Sequence, residues 1–190
     1  MRPTPESLTV IGACFPRRRN AARSLMTLQS TSYKSPVGNL HIITRDQTLL
    51  ALNLSSMHSA IASLGATRLE EKIEKSLKIS WISKVLDDYF DGDLTIINKV
   101  RVEQAGSDFS SEVWKCIRKV RAGKVATYAE LAEMVGSPRA VRAAGTACGR
   151  NKIAIVIPCH RIVKSDGTIG NYGYGIPTKK LLLAHEGIDY

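Results

Sequence analysis

Thr127-Tyr-Ala-Glu-Leu-Ala-Glu-Met-Val-Gly136-Ser-Pro-Arg-Ala-Val-Arg142-Ala-Ala-Gly-Thr-Ala-Cys148 reads as two helices separated by a tight turn. Thr127 is an N-cap residue type, and Glu130, three residues on, completes a capping box for a helix over 128–135. Gly136 breaks it. Ser137-Pro138 then supplies an N-cap and a first-turn proline, so a second helix is expected from there to about Cys148. Helix, glycine turn and helix is the plan of a helix-turn-helix, a unit used on DNA. The second helix carries neither Asn nor Gln, the side chains that would read base edges. Ala140, Ala143, Ala144, Gly145 and Ala147 instead permit a close backbone approach, and Arg142 is one long cation on that thin surface. Some of these alanines are expected to pack on the first helix. A duplex bound here would be held with little sequence preference.

The rest of the chain fits a globular protein around this unit. Of 190 residues, 44% are hydrophobic, which excludes wholesale disorder. The longest apolar run, 153–157, is far too short to span a membrane. Residues 1–26 carry a net charge of +4, residues 27–100 are neutral, and residues 101–190 carry +6. The basic C-terminal part points to a polyanionic partner, with nucleic acid the simplest. Four scattered cysteines without zinc spacing predict reduced thiols, no metal site and an intracellular location. Residues 1–26, with Pro3, Pro5 and Arg17 to Arg19, read as a flexible basic leader that the mature protein need not carry.

Short β-like runs at 41–44 and 49–54, turns at 36–39 and 46–47, a helix over 82–90 and a returning strand over 94–102 predict an α/β unit at 27–103. Phe109, Val113, Cys116, Ile117 and Val120 share a helical stripe, so Cys116 is read as core. The fold class is therefore α/β (α+β): a small N-terminal α/β domain at 27–103, then a mainly helical C-terminal domain at 104–190 containing the helix-turn-helix.

The chemistry gathers in Ile153-Ala-Ile-Val-Ile-Pro158-Cys159-His160-Arg161. The run is expected to be a buried strand that Pro158 stops, fixing the backbone just before the thiol. Neighbours on an extended chain point to opposite sides, so a water would have to join Cys159 to His160. Glu186, at the end of the last helix, could orient the imidazole, giving a thiol, base and carboxylate series. The imidazole and basic surroundings are expected to lower the Cys159 pKa. Residue types alone leave open a core cysteine beside a surface histidine.

Ile157 to Val163 closely resembles the active-site signature of the O6-alkylguanine-DNA alkyltransferases, the methylated-DNA–protein-cysteine methyltransferases. The likeness runs from about Phe109 to Gly187, through 123–128, 138–145, Arg150-Asn151, 170–172 and 185–187, with order and spacing kept. Residues 33–54 resemble the opening of the family's N-terminal domain more weakly. The resemblance implies an enzyme that flips O6-alkylguanine from duplex DNA and moves the alkyl group once, irreversibly, to Cys159. O6-methylguanine is the foremost substrate and O4-methylthymine a further candidate. It implies that His160 acts through water as base and that Glu186 orients it. It also implies that Tyr128 donates toward guanine N3, that Arg142 replaces the flipped base, and that Asn151 ties the DNA-binding helix to the nucleophile. Thr127, Ala140, Ala143 and Gly145 would lie along DNA with Tyr128 and Arg142; Pro158, Tyr172, Gly173 and Tyr174 would form the substrate pocket. No cofactor, membrane or obligate protein partner is implied, and a monomer is expected.

Rival readings meet specific obstacles. A non-catalytic sensor of alkylated guanine would lack the acceptor thiol that Cys159 supplies. A transcriptional regulator would need base-reading side chains on the second helix. A cysteine hydrolase would need an oxyanion-hole loop, and nothing resembles one.

Overall fold

The computed structural model describes residues 27–65 and 71–190, so the leader reading lies outside the described residues. Strands β1 (Leu28–Ser35), β2 (Gly38–Arg45) and β3 (Thr48–Asn53) form an antiparallel meander whose turns fall at 36–37 and 46–47. Strands β4 (Ile73–Lys75) and β5 (Arg101–Val102) join its edges in parallel, giving the order β4-β1-β2-β3-β5.

Both faces of the sheet are covered. Ile43, Leu50 and Ala51 pack with Ala60 of α1 (Met57–Ser63), while Leu40, Ile42, Leu49 and Leu52 enter the main core with Ile82 and Leu86 of α2 (Ser80–Phe90). That double burial makes β3 a continuous apolar run instead of an alternating one. The expected strand over 94–102 is mostly a 3-10 turn at 96–99, and only Arg101 and Val102 pair with β3. Arg118 stabilises the turn by donating to the carbonyls of Asn98 and Val100 at 2.9 and 3.0 Å.

The second half holds α3 (Asp108–Ile117), α4 (Tyr128–Met134), α5 (Val141–Gly149) and α6 (Ile176–His185), with a two-stranded parallel ladder of β6 (Ala126–Thr127) and β7 (Ile162–Val163). Ser107 caps α3, and the buried Trp114 indole donates to the Ala147 carbonyl at 2.9 Å, tying α3 to α5. Cys116 is buried on the α3 stripe. The Thr127–Glu130 capping box is formed in full, an arrangement typically contributing about 1 kcal/mol. Gly136, at φ 74°, ends α4, with Ser137 N–H on the Ala132 carbonyl and Gly136 N–H on that of Glu133.

The second helix starts later than its sequence suggests. Ser137 is not its cap and Pro138 is not its first residue; Ala140 N–H closes a turn on the Ser137 carbonyl and α5 begins at Val141 without a side-chain cap. The proline that is compatible with a helix start is equally compatible with a turn. The architecture is a mixed α/β fold, a sheet domain followed by a helical domain with a helix-turn-helix.

Candidate active site

The run 153–157 is buried but is not a strand. Ile153 alone bridges Leu52 of β3, with Leu52 N–H on the Lys152 carbonyl and Ala154 N–H on that of Leu52. Ile155 then turns into the left-handed region at φ 67°, rare for a β-branched residue, and the chain coils so that Ile157 N–H meets the Ile153 carbonyl. Cys159–Arg161 form a single 3-10 turn, so Cys159 and His160 do not sit on extended backbone.

Asn151 organises this coil. Its Nδ2 donates to the Ile157 carbonyl at 2.8 Å and to Cys159 Sγ at 3.2 Å, while its Oδ1 accepts from Ile153 N–H at 3.0 Å. Gln104, in the link between the halves, donates to the same oxygen at 3.3 Å. A residue two positions past α5 thus touches both the sulfur and the backbone that carries it.

Behind the thiol lies a buried polar cluster. His160 and Glu186 are fully buried at the side chain, with Nε2 3.1 Å from Glu186 Oε1. An ionised carboxylate can only accept, so Nε2 carries the proton and Nδ1 presents its lone pair. That Nδ1 is buried without a partner among the described residues. Arg161, 1% exposed, grips both Glu186 oxygens at 2.7 and 2.8 Å and donates to the Val120 carbonyl at 2.6 Å. Burial alone would raise the Glu186 carboxyl, but hydrogen bonds from His160 and Arg161 hold it down at about 2. Burial holds the imidazole below its ordinary range against the pull of Glu186, so His160 is neutral.

The expected lowering of the Cys159 thiol is not what this environment produces. Burial pushes it up, and the opposing influences are the Asn151 hydrogen bond and the Lys179 ammonium, not the neutral imidazole. Lys179 is fully buried in α6 and donates to the carbonyls of Ile162 and Ile169 at 2.5 and 2.6 Å. Burial lowers it to about 8, with the Cys159 and Cys148 thiols pulling the other way.

In front of the thiol is a pocket of about 440 Å³, within the size range of small-molecule sites. Tyr128, Gly145, Cys148, Asn151, Tyr172, Gly173 and Tyr174 line it around Cys159. The Tyr172 and Tyr174 rings meet edge-on, centroids 5.5 Å apart. Burial first, and then the nearby thiols, raise the Tyr128 hydroxyl, which stays a donor. A Cβ on Gly145 would meet the Tyr128 ring at 3.7 Å, an ordinary van der Waals contact, so α5 lies directly against that ring at this position.

Cys159, Tyr128, Asn151, Tyr172, Gly173 and Tyr174 therefore come together around one cavity. His160 and Glu186 stand behind it. Pro158 is buried beneath the turn and does not line the cavity. Arg142 and Ala143 are exposed on α5, Ala140 is half-buried at its start, and Thr127 caps α4. Arg161, Lys179, Tyr89 and Cys148 went unforeseen. Lys179 had a signal, since it shares a helical face with Leu182, Leu183 and Glu186, where a lysine must be held by something.

The profile for the DNA-binding domain of 6-O-methylguanine DNA methyltransferase matches residues 108–188, and that for the family's ribonuclease-like domain matches residues 28–104. The chain is 36% identical over 143 residues to the methylated-DNA–protein-cysteine methyltransferase of Salmonella typhimurium, covering 75% of this chain and 78% of that one. It is 31% identical over 166 residues to the Haemophilus influenzae protein of the same name, covering 87% and 90%. Its fold is similar to that of Mycobacterium tuberculosis OGT in complex with DNA, with a TM-score of 0.68 at 29% identity over 83% of this chain and 92% of that one. On sequence and fold together, the chain belongs to the methylated-DNA–protein-cysteine methyltransferase family.

Proposed function

We propose that this protein repairs duplex DNA by taking the alkyl group of O6-alkylguanine onto Cys159, once per molecule. The observation that carries the reading is the placement of Cys159 Sγ at a base-sized pocket, bonded by Asn151 and backed by a neutral His160 fixed on Glu186. A guanine O6 inside a duplex is out of reach, so the nucleotide is turned into the pocket. The His160 Nδ1 lone pair takes the thiol proton through a water. The sulfur attacks the alkyl carbon in line, an S–C bond forms, the C–O6 bond breaks, and guanine leaves with the electron pair as it gains a proton. Tyr128, held protonated, donates toward the departing base. Lys179 stabilises the thiolate against burial. The thioether is stable, so the protein is consumed.

Residues 104–190 bind DNA and carry the reacting groups, residues 27–103 support them, and the protein works inside the cell, where its substrate and reduced thiols are found. The test is stoichiometric. A fixed amount of protein should clear an equal molar amount of O6-methylguanine from duplex DNA and then stop. Continued clearance over many equivalents would overturn the reading.

Arg142, exposed on α5 and free of base-reading neighbours, fills the gap left by the everted nucleotide. Arg142→Ala should slow transfer from duplex DNA by about 10- to 100-fold, which is about 1.4 to 2.7 kcal/mol of transition-state stabilisation, and leave reaction with free O6-methylguanine nearly unchanged. Equal losses on both substrates would remove that role. Tyr174 narrows the pocket against Tyr172, which favours methyl over benzyl adducts. Tyr174→Gly should raise the benzyl rate about 10-fold relative to methyl, a difference typical of pocket-size discrimination. Unchanged benzyl-to-methyl ratios in single-turnover assays would contradict it.

A further inference from the structure

One donor to the carboxylate behind His160 comes from the first half of the chain. Tyr89, fully buried on α2, donates from its hydroxyl to Glu186 Oε1 at 2.7 Å. That oxygen also accepts from His160 Nε2 at 3.1 Å and Arg161 Nη2 at 2.8 Å. His185 Nε2 lies 2.9 Å from the Tyr89 carbonyl, so α2 is joined to the end of α6 by two hydrogen bonds, at its last residue and at Glu186, which caps it. Phe90 and His185 hold the Tyr89 ring edge-on, with centroids 5.1 and 4.9 Å away.

We infer that Tyr89 is a positioning residue for alkyl transfer, holding Glu186 Oε1 so that the carboxylate orients His160 without making the imidazole strongly basic. The inference rests on the reading of Cys159 as acceptor and His160 as its base. Three donors compete for one oxygen, and charge drawn toward the Tyr89 hydroxyl is charge not offered to Nε2–H. Burial and the Glu186 carboxylate keep the hydroxyl protonated, so it can only donate. The groups facing this carboxylate and imidazole are Tyr89 from α2, Arg161 from the thiol turn itself, Lys179 from α6 and Tyr172 from the pocket loop. Of these, Tyr89 is the neutral one bonded directly to Oε1. Removing it strengthens the Glu186–His160 attraction, raises the imidazole pKa and withdraws the free base at low pH.

The sign follows for Tyr89→Phe, which keeps the ring and its packing. The acidic limb of the single-turnover rate profile should move up by about 0.5 to 1 pH unit, which means roughly 3- to 10-fold slower transfer at pH values well below the limb and less than about 2-fold slower at pH 9. Tyr33→Phe is the control, since Tyr33 donates at 2.7 Å to Asp87 on the same helix and does not touch Glu186. It should lower the melting temperature and leave the limb in place. The 15N titration of His160, read without DNA, should show the same upward shift in Tyr89→Phe only. A limb and titration unmoved by Tyr89→Phe, or moved equally by Tyr33→Phe, would overturn the inference and reduce Tyr89 to packing. Wild-type protein that transfers nothing would instead overturn the functional reading, while the titration would still report whether Tyr89 sets the imidazole.

Discussion

Cys159→Ser should leave a folded protein that binds duplex DNA and transfers no methyl group, a loss of at least about a thousandfold in single-turnover rate. Serine preserves the size of the side chain and can still accept from Asn151 Nδ2, which donates to the sulfur at 3.2 Å. The hydroxyl is far less acidic than the thiol, and the buried Lys179 ammonium facing it is too weak an influence to ionise it. Because Cys159 is only partly buried and carries none of the Glu186 cluster, stability should change by less than about 1 kcal/mol. Residual transfer within tenfold of wild type would mean that another group accepts the alkyl.

The second large effect is on folding. Arg161→Met should cost about 3 to 5 kcal/mol, the usual loss when one partner of a buried charged pair is removed, and lower the melting temperature by roughly 10 °C. Arg161 satisfies both Glu186 oxygens and the Val120 carbonyl from a site 1% exposed to solvent. Without it, the Glu186 charge keeps only His160 and Tyr89 as side-chain partners among the described residues. Adding Glu186→Gln to Arg161→Met should therefore recover part of the loss, whereas independent sites would add. The same cluster governs acid stability. The folded Glu186 carboxyl is held at about 2 against an ordinary 4.5. A depressed carboxyl contributes fully above its unfolded value and is lost as pH falls from about 4.5 toward 2, a contribution on the order of 3 kcal/mol. Denaturant midpoints across that window should fall in wild type and flatten in Glu186→Gln.

How much of this was legible depended on whether the determining contacts were local. The Thr127–Glu130 capping box and the Gly136 stop are three- to five-residue devices, so they could be read directly. Pro138 misled because a turn and a helix start make the same demand on its φ, and only the Ala140–Ser137 hydrogen bond decides between them. Residues 153–157 misled because burial alone gives an apolar run, whether the backbone is a strand or a coil that Asn151 pins at both ends. The cysteine, histidine and carboxylate were named from their order and from family resemblance. Their electrostatics were not foreseen, since the neutral imidazole and the buried Lys179 follow from packing across four segments distant in sequence. Tyr89 sits on an apolar helix stripe beside Leu86, where nothing local separates a core tyrosine from one that reaches a carboxylate 97 residues away.

If one sulfur receives the group lost by the DNA, a labelled methyl must be recovered on that sulfur. Wild-type protein mixed at equal molarity with a duplex carrying a single O6-methylguanine, isotopically labelled in the methyl group, should be mapped by tandem mass spectrometry after proteolysis. One labelled methyl per chain is expected, on the peptide containing Cys159, with Cys116 and Cys148 unmodified. Label on Cys148 or Cys116, or repaired DNA alongside an unmodified Cys159, would contradict it.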